Sequence, residues 1–314
     1  MDVWINGEFV DDAKAAVSVF DAGLQHGVGL FETMAARNGA VFRLDAHMDR
    51  LAHSAEALRL SDRLETEPLA EAVRQALMHS ERKDARIRLT LTGGDLNAMR
   101  QTGQGPSDPT IFIVVQPRTE YPDSFFAQGI TAVLAPGRVN PWDWTSGHKT
   151  LNYWSRIAAL QMAASMGAGE ALWLTPDARV ACGSVSNIFL VKGSQLITPP
   201  AQGSQSANAP PPPVLPGITR QAVLSMAKAS GMTIVYEMPT IDDIAAADEC
   251  FLTNSSWHIL PVTSLAIAVR SDSEHEPHME QRPIGQGGVG TATADLRAAL
   301  LELIERETSG ASCS

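Results

Sequence analysis

Cysteine is scarce. Cys182, Cys250 and Cys313 are odd in number, far apart and without a CxxC pair, which argues against a disulfide scaffold and a structural zinc site. Positive charge is also short: 24 lysines and arginines stand against 35 aspartates and glutamates, and a net charge of -11 offers no basic face for a phosphate backbone. No apolar run reaches the roughly 18 residues of a membrane span. The opening Met1-Asp2-Val3-Trp4-Ile5-Asn6-Gly7 carries no basic leader, so a cytoplasmic protein without membrane or nucleic-acid partners is expected. Gly23, Gly27 and Gly29 lack the spacing of a strand-bound GxGxxG, and no dinucleotide role is assigned to them. Lysine itself is rare. Of Lys14, Lys83, Lys149, Lys192 and Lys228, only Lys149 lies among residues suited to a pocket, between a glycine-bearing turn and the aromatic pair Tyr153-Trp154.

What is present is a chain of 314 residues with 44% hydrophobic content, ample for ordinary buried cores. Asn6-Gly7 between two short apolar runs predicts a hairpin, Ala15–Phe20 is a further strand candidate, and Leu30–Ala35 is another. Ala46–Leu60 and Pro68–Met78 carry apolar residues at helical spacing. Arg86–Thr92 alternates, and Ile111-Phe112-Ile113-Val114-Val115 is a continuous apolar run, so a sheet with helices against one face is expected. Pro117, Tyr121 and Pro122 mark a linker. Beyond it, strands are expected at 129–134, 170–174, 186–192, 233–237, 249–252 and 262–269, and helices at 151–166, 215–230, 240–247 and 293–307. Thr175–Val185 reads as a connection and the proline-rich 199–213 as an excursion. The domain boundaries are a small α/β domain over 1–118, a linker at 119–128, a larger domain with a mixed β core over 129–308 and a flexible tail at 309–314.

Four polar clusters fall beside element ends: His47-Met48-Asp49-Arg50, the Lys149 segment, Gly217-Ile218-Thr219 and Thr253-Asn254-Ser255-Ser256. A helix opening at Ile218 and Thr219 presents free N–H groups of the kind that hold a phosphate. Ser255 and Ser256 add hydroxyl donors and Arg50 a guanidinium fork. Taken singly, each has a plainer reading: a surface lysine, a helix cap, a turn, a surface arginine. A lysine and a phosphate cradle together match one cofactor class, a phosphorylated aldehyde held as a Schiff base.

The motifs Trp4-Ile5-Asn6-Gly7, Gly29-Leu30-Phe31-Glu32-Thr33, Phe42-Arg43-Leu44 with His47 and Arg50-Leu51, His148-Lys149-Thr150-Leu151-Asn152-Tyr153, Ser186-Asn187-Ile188-Phe189-Leu190 and Leu215-Pro216-Gly217-Ile218-Thr219-Arg220 run through almost the whole chain. With them it resembles the fold-type IV pyridoxal-phosphate enzymes, which include branched-chain and D-amino-acid aminotransferases and aminodeoxychorismate lyase. The resemblance implies a two-domain α+β or α/β fold, pyridoxal 5′-phosphate on Lys149, and phosphate contacts from Arg50, Ile218, Thr219, Ser255 and Ser256. It also implies a homodimer. Tyr153, Cys182, Ser186 and Asn187 fall at cofactor-bordering positions, with Tyr153 one residue nearer the lysine than in branched-chain enzymes. The departure is Cys182, which stands where the family has a glutamate that pairs with the protonated pyridine nitrogen. Phe31 is expected to wall the substrate, with Trp142 and Trp144 as further candidates, and Arg88 or Arg118 to take its carboxylate. The expected activity is amino transfer between an amino acid, branched-chain or otherwise hydrophobic, and a 2-oxoacid. The alternatives are pyruvate release from a chorismate-derived amine, and a weakly catalytic or non-catalytic pocket caused by Cys182.

Overall fold

Alternation in the chain builds the first sheet. The computed structural model describes residues 2–96, 109–204, 212–269 and 278–309. Strands β1 (Asp2–Ile5) and β2 (Glu8–Asp11) pair through the Asn6-Gly7 turn, with Ile5 opposite Glu8. Strands β3 (Gly29–Arg37), β4 (Ala40–Val41), β5 (Ala85–Thr92) and β6 (Ile111–Pro117) complete a six-stranded sheet in the order β2-β1-β6-β5-β3-β4. Leu30, Met34, Ala36, Ile87, Leu89, Ile113 and Val115 point to one face. There they meet Met48, Leu51 and Ala55 of the helix Leu44–Ala57 and Leu69, Val73 and Leu77 of the helix Thr66–His79. Burying side chains of this kind stabilises by about 1.5–3 kcal/mol each.

The expected strand at Ala15–Phe20 does not form. The N–H groups of Lys14 and Ala15 both donate to the carbonyl of Asp11, a turn that takes the chain off the sheet edge and leaves Val19 and Phe20 exposed.

The second sheet has nine strands: β7 (Ile130–Arg138), β8 (Glu170–Leu174), β9 (Val180–Gly183), β10 (Asn187–Lys192), β11 (Gln195–Thr198), β12 (Thr233–Tyr236), β13 (Glu249–Asn254), β14 (His258–Val269) and β15 (His278–Pro283). Their order is β12-β11-β10-β13-β14-β7-β8-β9, with β15 also on β14. It is mixed, since β7 runs parallel to β8 and β14, and β11 to β12, while the other pairs are antiparallel. It must also curl. β9 and β10 stand five steps apart in this order, about 24 Å across a flat sheet, yet the link from Gly183 to Asn187 spans at most about 14 Å. Gly183 N–H in fact donates to the carbonyl of Ser186. The helices Trp154–Ser165 and Ile218–Ala229 belong to this half.

β9 lies inside the stretch read as a connection, and β11 was not anticipated; each has only four residues, too few for a periodic signal. Pro261 falls inside β14 rather than before a strand. β7 joins only from Val262, so the position at Pro261 has one sheet neighbour and tolerates a missing N–H.

The chain divides into two compact units, with the break at Thr119/Glu120. His148–Tyr153 and the chain from Glu302, which the sequence boundaries assign to the larger domain, group with the first unit. The linker at 119–128 contains a short helix, Asp123–Ala127. Among the described residues no helix is long and apolar enough to cross a membrane. The tail beyond Ser309, Cys313 included, lies outside the described residues.

Candidate active site

In the first unit, Lys149 is held against the start of β3. The Lys149 carbonyl accepts from Phe31 N–H at 3.0 Å, and Leu151 N–H donates to the Gly29 carbonyl at 2.9 Å, so residues 149–151 run extended and the helix expected from Leu151 starts only at Trp154. Gly29 permits this approach: a Cβ there would stand 2.6 Å from Leu151 Cδ1 and 2.5 Å from the Leu91 carbonyl oxygen. The Lys149 Nζ lies 4.3 Å from the centroid of the Phe31 ring, and Tyr153 meets that ring edge-on at 5.3 Å.

Arg88 places its guanidinium 3.8 Å from the Phe31 centroid, so two cations address one buried aromatic ring. Arg88 and Thr90 project from the same face of β5, opposite Thr33 and Phe31. Among the described residues Arg88 makes no ion pair, and burial, with Arg86 nearby, pushes its pKa down. Thr90 Oγ1 is buried without a hydrogen-bond partner among the described residues. Arg118 is exposed and follows Pro117 at the other end of β6, so it does not join this group.

Glu32 points to the opposite face of β3 from Phe31 and is almost wholly enclosed. Arg50 grips it with two bonds, Nε to Oε1 at 2.8 Å and Nη2 to Oε2, while His47 Nδ1 lies 2.7 Å from Oε2. Burial pushes the Glu32 carboxyl up, but the Arg50 charge and the His47 hydrogen bond together outweigh it and hold the pKa at about 2. An ionised carboxylate only accepts, so His47 Nδ1 carries the proton. Burial also lowers the His47 pKa against the pull of Glu32, which favours the neutral ring. Arg50 therefore presents a guanidinium whose orientation is fixed by an anion behind it. His148, next to the lysine, has Nδ1 2.9 Å from Ser54 Oγ.

In the second unit, the helix Ile218–Ala229 opens at Gly217 with no side-chain cap, and Ile218 and Thr219 are buried. Asn187 Nδ2 donates to the Leu215 carbonyl at 2.9 Å and fixes the approach to that helix. Thr253 pairs with Asn187 across β10 and β13, and its Oγ1 is buried without a partner among the described residues. Ser255 and Ser256 sit in the turn between β13 and β14, where Asn254 Oδ1 accepts from the N–H groups of Ser256 at 2.8 Å and Trp257 at 3.0 Å.

Cys182 is buried on β9, opposite Trp173 of β8. Beside it Arg156 Nη1 donates to Cys182 Sγ at 3.4 Å and to the carbonyls of Gly183 at 3.0 Å and Ser184 at 3.3 Å. Glu170, with no exposed surface, holds the same turn through its N–H groups: Oε1 accepts from Ala171 and Ser184, and Oε2 from Val185 N–H and Ser186 Oγ. Burial raises the Glu170 pKa against these donors. Glu32, Arg156 and Glu170 carried no assigned role in the sequence reading. The available signal for Glu32 was its charge in the otherwise apolar alternation Leu30, Met34, Ala36. Trp142 and Trp144, read as wall candidates, are exposed at 78% and 65%. Among the described residues no group of three or more His, Cys, Asp or Glu side chains is placed to hold a metal ion.

Residues 29–265 match the family described as amino-transferase class IV. A Methanocaldococcus jannaschii protein named as a candidate branched-chain-amino-acid aminotransferase is 38% identical over 266 residues, covering 83% of this chain and 87% of that one. The aminodeoxychorismate lyase of Bacillus subtilis is 28% identical over 84% of this chain and 86% of its own. Among solved structures, the branched-chain amino acid aminotransferase of Escherichia coli superposes with a TM-score of 0.81 at 27% identity, covering 96% of this chain and 94% of that one.

Proposed function

The chain belongs to the class IV aminotransferases, and from that premise we propose an enzyme dependent on pyridoxal 5′-phosphate that exchanges the amino group of a branched-chain or other hydrophobic amino acid with a 2-oxoacid. The observation that carries the reading is Lys149, whose carbonyl is held by Phe31 N–H and whose amine lies over the Phe31 ring.

The donor set fits the phosphate end of the cofactor. In the second unit an uncapped helix start at Ile218 and Thr219, the Ser255-Ser256 turn and the Thr253 hydroxyl, without a partner among the described residues, supply hydrogen-bonding groups without excess charge; in the first unit Arg50 is a fixed cation of the kind the family resemblance assigns to a phosphate. When bound, the cofactor supplies an aldehyde that condenses with an amine and a ring that withdraws electrons. The rest falls to this chain. Lys149 Nζ holds the aldehyde and moves the proton at the substrate α-carbon. Phe31 and Tyr153 wall the substrate, and Arg88, with no carboxylate partner among the described residues, takes the substrate carboxylate; the exposed position of Arg118 favours Arg88 for this role. Asn187 and Ser186 shape the loop bordering the ring.

The expected result is a visible absorption band in the purified protein that Lys149→Ala abolishes, and that hydrophobic amino donors discharge in a half-reaction. A protein with no band even after addition of pyridoxal 5′-phosphate refutes the cofactor assignment. Pyruvate release from a chorismate-derived amine without an added oxoacid refutes amino transfer as the main activity. We also propose a homodimer in the cytoplasm. The exposed Trp142, Trp144 and Trp154 are apolar surface of the kind a second copy covers, and the free, buried Cys182 and Cys250 fit a reducing compartment. Sedimentation at the monomer mass counts against the dimer.

A further inference from the structure

We propose that Arg156 and Cys182 form the partner of the cofactor's ring nitrogen in this protein, and that the nitrogen is held there without a proton. The inference rests on the pyridoxal-phosphate reading above and concerns only how residues 182–186 meet that group.

The turn after β9 is gripped from two sides, by a guanidinium and by a buried carboxyl. Its carbonyls, at Gly183 and Ser184, accept from the Arg156 guanidinium, which also donates to Cys182 Sγ. Its N–H groups, at Ser184 and Val185, donate to Glu170. The guanidinium carbon stands 5.4 Å from the centroid of the Trp173 ring, and Trp173 Nε1 is tied to Ser184 Oγ at 2.9 Å, so Arg156 is bound into a fixed wall. Glu170 is turned away from this donor face. Both its oxygens accept from residues 171–186, and a Cβ on Gly183 would approach Oε2 to 2.8 Å, so it reaches the peptide only because residue 183 is glycine.

The consequence is one of donor and acceptor count. A protonated pyridine nitrogen is a donor and needs an acceptor such as a carboxylate. A guanidinium has donors alone and keeps its charge at any working pH, and a thiol is a weak donor whose sulfur, a weak acceptor, is already taken by Arg156 Nη1. Against this pair the nitrogen finds its better hydrogen bond by offering its lone pair. An arginine is an established alternative to an acid as the partner of this ring. The unprotonated ring withdraws electrons less strongly, which leaves more of the α-proton transfer to Lys149.

The test is ring-nitrogen ¹⁵N NMR of the holoenzyme assembled with pyridoxal 5′-phosphate labelled at that atom. The wild type is expected in the unprotonated range from about pH 6 to 9, spanning the region where enzyme groups are tuned to operate. Cys182→Glu, which supplies an acceptor, is expected to move the signal to the protonated range. Arg156→Gln is expected to make the signal titrate with pH, because the fixed cation is gone. A wild-type signal in the protonated range overturns the proposal, as does a signal that Arg156→Gln leaves unmoved while only lowering thermal stability. If Cys182→Glu fails to fold, Cys182→Ser in its place must stay unprotonated with Arg156 intact, and a protonated signal there refutes the pairing. A protein that binds no label and has no Lys149-dependent band overturns the cofactor reading itself, and this inference with it.

Discussion

Glu32 and Glu170 are enclosed to the same degree, one in each unit, yet they are held by different partners. Glu32 faces a guanidinium and an imidazole, and its pKa falls to about 2 although burial alone drives it upward. Glu170 faces three peptide N–H groups and a hydroxyl, and its pKa rises because neutral donors do not offset the lost hydration. Burial is common to both; a counter-charge decides the sign. The two carboxylates serve different ends. Glu32 orients a cation, while Glu170 shapes a turn.

The largest expected effect comes from removing the counter-charge. Glu32→Gln leaves Arg50 buried beside a neutral amide, and such one-sided losses cost about 3–5 kcal/mol. Chemical denaturation of the apoprotein measures it. If Glu32→Gln costs no more than Glu170→Gln, the ion pair is not what separates the two sites. Cofactor affinity sharpens the point: with Arg50 no longer braced, binding of pyridoxal 5′-phosphate is expected to weaken, whereas Glu170→Gln should alter it less.

Acid reads the same difference. A carboxyl of ordinary value 4.5 held at about 2 contributes stability that is complete above about 4.5 and disappears as pH falls toward 2. A shift of this size is worth roughly 3 kcal/mol. His47 acts in the same direction, because its lowered pKa means that acid favours the unfolded chain. Unfolding free energies from pH 6 to 2.5 should therefore fall more steeply in the wild type than in Glu32→Gln. Parallel curves would show that the Glu32 carboxyl is not held low.

How much of this was legible in the sequence depends on range. The hairpin at Asn6-Gly7 and the helices over Leu44–Ala57 and Thr66–His79 follow local patterns, and so does the sheet they cover. The extended path of residues 149–151 does not, because its partners are Gly29 and Phe31, far away in the chain. Arg156 stands in the sequence as one more polar residue opening a helix, and only the pairing of β9 with β8, on which that helix packs, brings the 182–184 turn to it. Thr219 was readable as a helix start, but the unpartnered Thr253 hydroxyl on the neighbouring strand was not. Patterns of one face are written locally; pairings across strands are not.

Gly183 tests the Glu170 side of the comparison directly. In Gly183→Ala the new Cβ would lie 2.1 Å from Ser186 Oγ and 2.8 Å from Glu170 Oε2, so the turn must shift and its carboxylate contacts loosen. A cost of about 1–3 kcal/mol is expected from such overpacking. A neutral result in thermal unfolding would show that the turn accommodates the methyl group, and that glycine is not what lets Glu170 reach it.

Glu170→Gln itself should be the mildest change. The amide oxygen can keep the bonds from Ala171 and Ser184, and Ser186 Oγ can rotate to accept from Nε2, so only the long contact from Val185, at 3.4 Å, loses its acceptor. A cost of about 1 kcal/mol follows. Its pH dependence runs opposite to that of Glu32. A carboxyl whose folded pKa is raised contributes most below its unfolded value and loses that contribution as pH rises through the folded one. The stability gap between wild type and Glu170→Gln should thus be widest at and below about pH 4.5 and narrow toward alkaline pH, while the gap for Glu32→Gln widens from acid upward. Denaturation of both variants across one pH series decides it. Two gaps moving in the same direction would mean that Glu170 also has a cation partner when folded, and the contrast between the sites would fail.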